Sequence, residues 1–302
     1  MVKKSIFTLL LGILLILGAC SDNMNDENEV AEGEEANTEE TSTDQTEKEN
    51  EGEEEPPVTE DNEDNKTQDE KNIEEEAVQE ITEPLYKIDD NWNVVPLDEG
   101  TNEKVVLLTI DDAPEKYALE MAQTLKKLEA PAIFFVNGHF LETDEKKEQL
   151  RQIHEMGFAI GNHTYHHQKL SDVDEETQKQ EIMELNDLIE EITGQKPKFF
   201  RAPHGENTDY ATSLVEEEGM LLMNWTYGYD YFEPYMDAEK LKEAMISGEA
   251  PEIEISYSLL KPGANLLMHD REWTAAALED IVKGLRDKGY EFVDPMTLQV
   301  PE

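Results

Sequence analysis

Basic residues are scarce in this sequence. Its 302 residues include 25 lysines and arginines against 72 aspartates and glutamates, which gives a formal net charge of −47. Nucleic acid is therefore not an expected partner, because phosphate binding requires a basic surface. Three catalytic signatures are also missing, namely the G-x-S-x-G nucleophile elbow, the H-E-x-x-H zinc motif and the Walker-type glycine loop. A covalent serine mechanism and a metalloprotease of the H-E-x-x-H type consequently have no support.

Cysteine occurs once, at Cys20, directly after a segment with the layout of a secretory signal. Lys3 and Lys4 precede an apolar run over residues 6–17, which is near the lower length limit for a membrane span. The stretch "LGAC" resembles the lipobox of bacterial lipoproteins, whose cysteine becomes the lipidated first residue of the mature chain. This resemblance implies a signal peptide over residues 1–19 and a lipid anchor on Cys20 at the outer face of the bacterial cell membrane. No thiol then remains for a disulfide or a thiolate metal site.

Residues 20–83, the lipidated cysteine and the segment after it, are predicted to be a disordered acidic linker. From residue 21 onward this segment has 27 acidic residues, three lysines and almost no aromatic or aliphatic side chains. Such a composition cannot bury enough apolar surface to offset the entropy lost on ordering. The remaining residues, 84–302, retain 45 acidic and 20 basic residues and form the predicted globular domain. Its first residues, 84–99, fit either a small strand pair or an ordered lead-in.

The globular domain alternates between apolar runs and amphipathic segments. "KVVLLTI" and "PAIFFVNG" are nearly continuous apolar runs, which are typical of strands buried on both faces. Segments such as "DEKKEQLRQIHEMG" have apolar residues at helical spacing and end at a glycine. Repeated alternation of this kind predicts an α/β fold with a parallel sheet, most simply a (β/α) barrel.

Ionisable side chains follow several of the predicted strands, and in such barrels the chemistry gathers at the C-terminal strand ends. They are Asp111, Asp112, three histidines within positions 163–167, Arg201, His204, Asp230, His269 and Asp270. Any one of them alone fits a turn or a structural residue, but their coincidence on one edge predicts a site. Two imidazoles and a carboxylate are a common set of ligands for catalytic zinc. The zinc ion lowers the pKa of a bound water to about 7 and polarises a carbonyl. A further carboxylate and histidine would handle protons, so the predicted reaction is hydrolysis of an amide or ester.

Five motifs resemble, in order and spacing, those of the NodB-type polysaccharide deacetylases, carbohydrate esterase family 4. They are "TIDDAP" (109–114), "HTYHH" (163–167), "RAPHG" (201–205), "WTYGYDY" (225–231) and "LMH" (267–269). The resemblance covers roughly residues 100–298 of the chain. It implies a distorted (β/α) barrel of about seven strands and a metal-dependent hydrolase that removes N-acetyl groups from a polysaccharide.

The resemblance assigns the metal ligands. From the sequence alone, His163 could pair with either His166 or His167. The i, i+4 spacing, on one side of a helical turn, and the family motif both select His163 and His167, with Asp112 as the third ligand. His166 is then expected to be a surface or outer-shell residue. Zinc is the first expected metal, and cobalt, nickel and manganese are alternatives because this donor set discriminates modestly among them.

The resemblance also implies the acid–base groups. Asp111 would be the general base, oriented and kept ionised by Arg201, since a nearby cation favours the charged carboxylate. His269 would be the general acid that protonates the departing amine. Asp230 would hydrogen-bond to His269 and raise the pKa of its imidazole.

Substrate contacts are implied at four further positions. The backbone N–H of His204 would stabilise the oxyanion, and Leu267 would line the pocket for the acetyl methyl group. His204 stands where the family usually has tyrosine. Aromatic residues in and just after the fourth motif fit either sugar stacking or the core: Trp225, Tyr229, Tyr231, Phe232 and Tyr235. Trp225 and Tyr231 are the expected sugar contacts.

The lipid anchor and the acidic linker make peptidoglycan the expected partner, with its N-acetylglucosamine residues as the expected substrate. The alternatives are N-acetylmuramic acid, chitin oligosaccharides, an O-acetylated polysaccharide, or a non-catalytic carbohydrate-binding surface lipoprotein. None of the expected ligands or acid–base residues is missing from the sequence, which argues against the non-catalytic alternative.

Overall fold

A computed structural model of the chain describes residues 83–301. The predicted signal peptide, Cys20 and the linker up to residue 82 lie outside these residues. Within the described part of the chain, strands and helices alternate as the sequence predicts.

The described chain begins with an antiparallel hairpin of β1 (Tyr86–Ile88) and β2 (Val94–Pro96). Asp89 follows β1, and its Oδ1 accepts the backbone N–H groups of Asn91 and Asn93, both at 2.8 Å. An aspartate that binds the backbone two residues on stabilises a tight turn. The segment 84–99 is therefore a strand pair, one of the two alternatives that the sequence left open.

Seven strands form one parallel sheet. They are β3 (Val105–Ala113), β4 (Ala132–Val136), β5 (Ala159–Asn162), β6 (Phe199–Phe200), β7 (Leu221–Leu222), β8 (Ala264–His269) and β9 (Glu291–Phe292). Their order is β7-β6-β5-β4-β3-β8, and β9 also pairs with β3. The central strand β3 is buried along all nine residues, as a strand covered on both faces must be.

The segment after β7 connects the two edges of this sheet. The backbone N–H of Met223 donates to the carbonyl of Phe200 in β6 at 3.0 Å, and the N–H of Leu267 in β8 donates to the carbonyl of Tyr227 at 2.9 Å. Residues 221–227 thus begin beside β6 and end beside β8. The sheet curls into a distorted half-barrel, which matches the predicted (β/α) barrel fold.

Six α-helices connect the strands within residues 83–301. They are α1 (Ala118–Lys127), α2 (Asp144–Glu155), α3 (Glu175–Thr193), α4 (Asp209–Glu217), α5 (Ala238–Ser247) and α6 (Glu272–Asp287). The side chain of Asp174 caps α3 by accepting the N–H of Thr177, and Gly194 ends the helix in the left-handed conformation. A membrane-crossing helix, long and apolar enough to span the bilayer, is not found in this part of the chain.

The main hydrophobic core lies between the sheet and the helices, where β3 and β4 side chains such as Ile110 and Phe134 meet α6 side chains such as Leu278 and Val282. Tyr229 and Tyr235 belong to this core, since their exposed fractions are 1% and 3%. The sequence allowed these tyrosines either to stack on sugar or to belong to the core, and the second alternative is correct. Packing fixes the strands, and the polar residues at their carboxyl ends are held on a rigid frame.

Candidate metal and acid–base site

A cleft of about 530 Å³ opens at the carboxyl ends of the strands. It is lined by Asp111, Asp112, His163, His167, His204, Trp225, Asp230, Tyr231, Met236, Leu267, His269, Arg271 and Trp273. Every residue within 83–301 that was expected to bind metal, transfer protons or contact substrate lines this cleft, except Arg201. Asp270, also expected at this edge, does not line it, because its buried carboxylate accepts the backbone N–H groups of Lys116 and Tyr117. The side chain of Arg201 is completely buried and contacts Asp111.

Asp112, His163 and His167 each offer one ligand atom, and these atoms lie within 4.8 Å of one another. Asp112 Oδ1 is 3.9 Å from His163 Nε2 and 3.6 Å from His167 Nε2. Asp112 directly follows Asp111 on β3, and His163 directly follows β5. The three residues that the resemblance implies as metal ligands therefore converge on one point.

The protonation of these groups fits a divalent cation. His163 Nδ1 donates to the carbonyl of Arg201 at 2.7 Å, which leaves Nε2 as the ring nitrogen available to a metal. Burial and the neighbouring His163 lower the pKa of His167 to about 4, so its ring is neutral at physiological pH. Burial opposes ionisation of Asp112, but the positive charges around it, among them the protonated His269 and Arg271, outweigh it and lower the pKa of this carboxyl. A neutral imidazole pair and an ionised carboxylate are the forms that bind zinc-like metals.

The turn that carries the two histidines differs from the expectation of a helical turn. His163 to His167 are not helical, and Thr164 and His167 have φ values of +67° and +55°. These two left-handed residues fold the chain back on itself, so that the rings of His163 and His167 approach to 4.9 Å between centroids. The helical argument was wrong, although the same two histidines come together. His166 lies outside the triad, with its ring against Glu181.

Arg201 holds Asp111 from beneath the cleft. Its Nη1 donates to Asp111 Oδ1 at 2.7 Å and to Thr109 Oγ1 at 2.8 Å, while its Nη2 donates to the carbonyl of Asn224 at 2.9 Å. Because the guanidinium is tied to several elements, the carboxylate that it holds has a fixed orientation. The other oxygen of Asp111, Oδ2, lies 3.6 Å from His163 Nε2.

His269, the last residue of β8, pairs with the buried carboxylate of Asp230. His269 Nδ1 lies 2.8 Å from Asp230 Oδ1, and the backbone N–H of His269 donates to Asp230 Oδ2 at 2.6 Å. Burial opposes protonation of His269, but the charge and the hydrogen bond of Asp230 outweigh it and raise the pKa of the imidazole to about 9. Thr274 Oγ1 also donates to Asp230 Oδ2 at 2.8 Å. A protonated His269 is thus the favoured form at neutral pH.

Three cleft residues, Met236, Arg271 and Trp273, were missed by the sequence reasoning. Arg271 Nη2 donates to Asp112 Oδ2 at 2.7 Å, and its Nη1 contacts Glu115. Trp273 Nε1 donates to the carbonyl of Asp230 at 2.8 Å. Arg271 and Trp273 follow the end of β8 by two and four residues, so attention to the whole strand–helix junction could have found them.

The expected substrate contacts occupy different parts of the cleft. Leu267 is 2% exposed at its floor, and His204 is exposed near the metal ligands, with its ring 5.1 Å from that of His167. Tyr231 is 43% exposed, and its ring lies 5.5 Å from that of His269. Trp225 is partly exposed, whereas Phe232 packs partly on the core. Aromatic rings beside the acid–base groups form an apolar wall of the kind that sugars stack on.

Comparison with known proteins gives the class of this chain. Residues 98–223 match the family model described as polysaccharide deacetylase. A peptidoglycan-N-acetylglucosamine deacetylase of Bacillus cereus is 29% identical over 238 residues, which cover 71% of this chain and 83% of the relative. The peptidoglycan-N-acetylmuramic acid deacetylase PdaA of Bacillus subtilis is 26% identical over 197 residues, which cover 64% and 70%. The chain thus contains a NodB-type polysaccharide deacetylase domain, and it is similar to solved structures of carbohydrate esterase family 4.

Solved structures include both active and inactive relatives. The crystal structure of a family 4 pseudoenzyme from Bacillus anthracis is 26% identical, with a TM-score of 0.55, and the alignment covers 63% of each chain. A mutant of that protein is described as having restored enzymatic activity. The similarity therefore supports deacetylase chemistry, although one protein of this fold is a pseudoenzyme.

Proposed function

We propose that this protein is a metal-dependent N-deacetylase that acts on N-acetylglucosamine residues of peptidoglycan. One observation supports the reaction above others. Asp111 and His269 are register partners on adjacent strands, and the Asp112–His163–His167 set lies beside Asp111. A proton acceptor, a proton donor and a candidate metal site thus surround one small space at the end of the sheet.

In the proposed reaction, a water adds to the carbonyl carbon of the acetamido group and the carbon–nitrogen bond breaks. A divalent cation on Asp112, His163 and His167 would supply Lewis-acid polarisation of the carbonyl and a more acidic water. Asp111 takes the proton of the attacking water, and Arg201 keeps this carboxylate oriented. His269 gives its proton to the departing nitrogen, so that acetate and a free amine are released.

The expected oxyanion and acetyl contacts complete this proposal. His204 lines the same cleft as the ligands, and its backbone N–H would stabilise the charge that develops on the carbonyl oxygen. Leu267 would contact the acetyl methyl group, and Trp225 and Tyr231 would stack on the sugar. The similarity to the Bacillus cereus peptidoglycan-N-acetylglucosamine deacetylase supports this sugar, and the similarity to PdaA makes N-acetylmuramic acid the first alternative.

Acetate release from purified peptidoglycan tests the proposal directly. Wild-type protein loaded with zinc or cobalt should release acetate, and mass spectrometry of the muropeptides should show glucosamine. Asp111→Asn should abolish release, whereas Asp187→Asn, at an exposed position of α3, should not. Acetate release that is unaffected by Asp111→Asn would refute the mechanism, and no release by the metal-loaded wild type would favour a carbohydrate-binding lipoprotein.

We further propose that the enzyme is lipid-anchored at the outer face of the cell membrane through Cys20. The support is the sequence of residues 1–20 alone. Cells that express the full chain should incorporate labelled palmitate into the protein, and Cys20→Ala should abolish the labelling. Equal labelling of both forms would refute the anchor without bearing on the deacetylase reaction.

A further inference from the structure

Glu181 is a buried acid on α3 that takes no part in the proposed reaction. Its exposed fraction is 4%, and it does not line the cleft. Burying a carboxylate is costly unless hydrogen bonds satisfy its oxygens. In Glu181 both oxygens accept hydrogen bonds, and all the donors belong to the turn that carries the two histidine ligands.

The contacts of Glu181 lie between and beside the two candidate ligands. The backbone N–H of His166 donates to Oε2 at 2.7 Å, and His166 Nδ1 donates to Oε1 at 2.7 Å. Gln168 Nε2 donates to Oε1 at 3.0 Å, and the backbone N–H of Tyr165 donates to the backbone carbonyl of Glu181 at 2.9 Å. One helical residue therefore binds Tyr165, His166 and Gln168, which flank His167 on both sides.

The turn needs such restraint because its backbone is strained. Thr164 and His167 both have positive φ values, which are disfavoured for residues with a β-carbon. A relaxed turn would move the His167 ring away from His163. Strained conformations persist only where the surrounding structure determines them. Glu181 holds the turn in this conformation from the α3 side.

The opposite side of the turn is held by neutral groups. Asn137 Nδ2 donates to the carbonyls of His163 and Thr164 at 2.6 and 3.2 Å, and the backbone N–H of His139 donates to the carbonyl of Tyr165 at 2.8 Å. Gly138 packs so closely that an added β-carbon would lie 2.4 Å from the Tyr165 ring. On the α3 side the turn donates hydrogen bonds to the carboxylate of Glu181, and charge-assisted hydrogen bonds are about twice as strong as neutral ones.

We propose that Glu181 is a positioning residue that keeps the Nε2 atoms of His163 and His167 converged before a metal binds. This inference rests on the proposed metal site and extends it to α3. Glu181 acts on the ligands through the backbone of the turn and contacts neither of their rings. The sequence predicted that His166 is a surface residue or lies just behind the ligands. Its side chain is one of the two in the turn that donate a hydrogen bond to Glu181.

The variants should fall into a definite order of zinc affinity. Glu181→Ala removes every side-chain contact to the turn and should raise the zinc dissociation constant by about 10- to 100-fold, the usual effect of losing an outer-shell partner. Glu181→Gln keeps the shape but retains one acceptor oxygen, so its effect should be smaller. His166→Ala should have the smallest effect, because the backbone N–H of residue 166 still reaches Oε2. The matched control is Glu184→Gln, an exposed glutamate on the same helix, which should bind zinc like wild type.

Two measurements test the inference: competition with a chromophoric chelator for the zinc dissociation constant, and amide hydrogen exchange of the metal-free protein. The Glu181 variants should bind zinc more weakly and should also exchange faster in residues 163–168 than wild type. If Glu181 only stabilised α3, its replacement would speed amide exchange throughout α3. Exchange in residues 163–168 would then increase no more than exchange in the residues around them. Unchanged zinc affinity, or unchanged exchange in the turn, would overturn the proposal. If Glu181→Ala does not fold, Glu181→Gln decides on the same two criteria.

The outcome is separable from that of the proposed function. If wild-type protein binds zinc and releases acetate while the Glu181 variants behave like wild type, only the positioning role fails. If wild-type protein binds no zinc, the metal site fails, and the positioning role fails with it.

Discussion

Arg271 donates to Asp112 Oδ2 at 2.7 Å, on the oxygen that does not face the histidines. Asp112 Oδ1 is the oxygen within 4 Å of both imidazoles. The two oxygens of one carboxylate thus have separate partners, and Glu115 contacts the same guanidinium. Arg271 therefore orients Asp112 so that one oxygen is presented to the candidate metal position.

Replacing Arg271 by methionine should leave both oxygens of Asp112 free to bind the metal. The absorption spectrum of the cobalt-loaded protein should change, because a carboxylate that binds through two oxygens alters the coordination number, and acetate release should fall about 10- to 100-fold. Arg271→Lys keeps the positive charge but lacks the planar guanidinium. It therefore distinguishes the effect of the charge from the effect of orienting Asp112. Arg151→Gln, at an exposed arginine on α2, is the control. An unchanged cobalt spectrum in Arg271→Met would contradict the orienting role.

Asp230→Asn should shift the pH dependence of the reaction. His269 must be protonated to act as the acid, so the rate is present below its pKa and lost as the pH rises through that value, about 9 in this structure. Removing the Asp230 charge lowers the pKa of His269. The alkaline limb of kcat/KM should consequently move to lower pH, and a profile that stays in place would exclude His269 as the titrating acid.

Metal removal should lower the thermal stability of the folded domain. A ligand that binds only the native state stabilises it by about 2.7 kcal/mol when its concentration is 100 times the dissociation constant. Zinc should therefore raise the Tm of metal-free wild-type protein, and a chelator should reverse the rise. His167→Ala removes one candidate ligand and should show no zinc-dependent shift, whereas His166→Ala should keep most of it. A zinc-dependent shift in His167→Ala equal to that of wild type would place the metal elsewhere.

Tyr231→Ala should raise KM for peptidoglycan fragments more than it lowers kcat. Its exposed ring lies beside His269 and offers a stacking surface, but it has no place in the proton transfers. Tyr231→Phe should resemble wild type, since the ring is retained. Tyr257→Ala removes a tyrosine that is 64% exposed and does not line the cleft, so it should leave KM unchanged. Equal KM values for Tyr231→Ala and wild type would remove Tyr231 from the substrate site.

The sequence predicted the sheet best where strands are buried on both faces. The apolar runs at β3 and β4 are nearly continuous, so their assignment depended on local pattern alone. The paired parts of β6 and β7 are only two residues long. Their brief pairing with neighbouring strands is a tertiary property, which the local pattern of "KFFRAP" or "LLMNWTY" does not specify.

The candidate site was likewise predicted only in part from the sequence. His163 and His167 were selected by their motif, but the backbone that brings them together is a left-handed turn, because contacts from Asn137 and α3 outweigh local preference. Glu181 carries no sequence signal of its own, since it is one of many glutamates in an acidic helix. Its burial depends on the packing of α3 against the turn, and only the folded chain shows that.

Asp111 and His269 sit side by side because β3 and β8 are hydrogen-bonded neighbours in register. The spacing between proton acceptor and proton donor is therefore set by the distance between parallel strands, about 4.8 Å. The aromatic wall, by contrast, comes from connecting segments that contain Tyr231 and Met236. Variation at Tyr231 and Met236 can change which sugar is accepted without disturbing proton transfer, provided that Asp230 in the same segment is retained. The domain is consequently a suitable starting point for directed evolution of sugar preference, with diversity confined to these two positions.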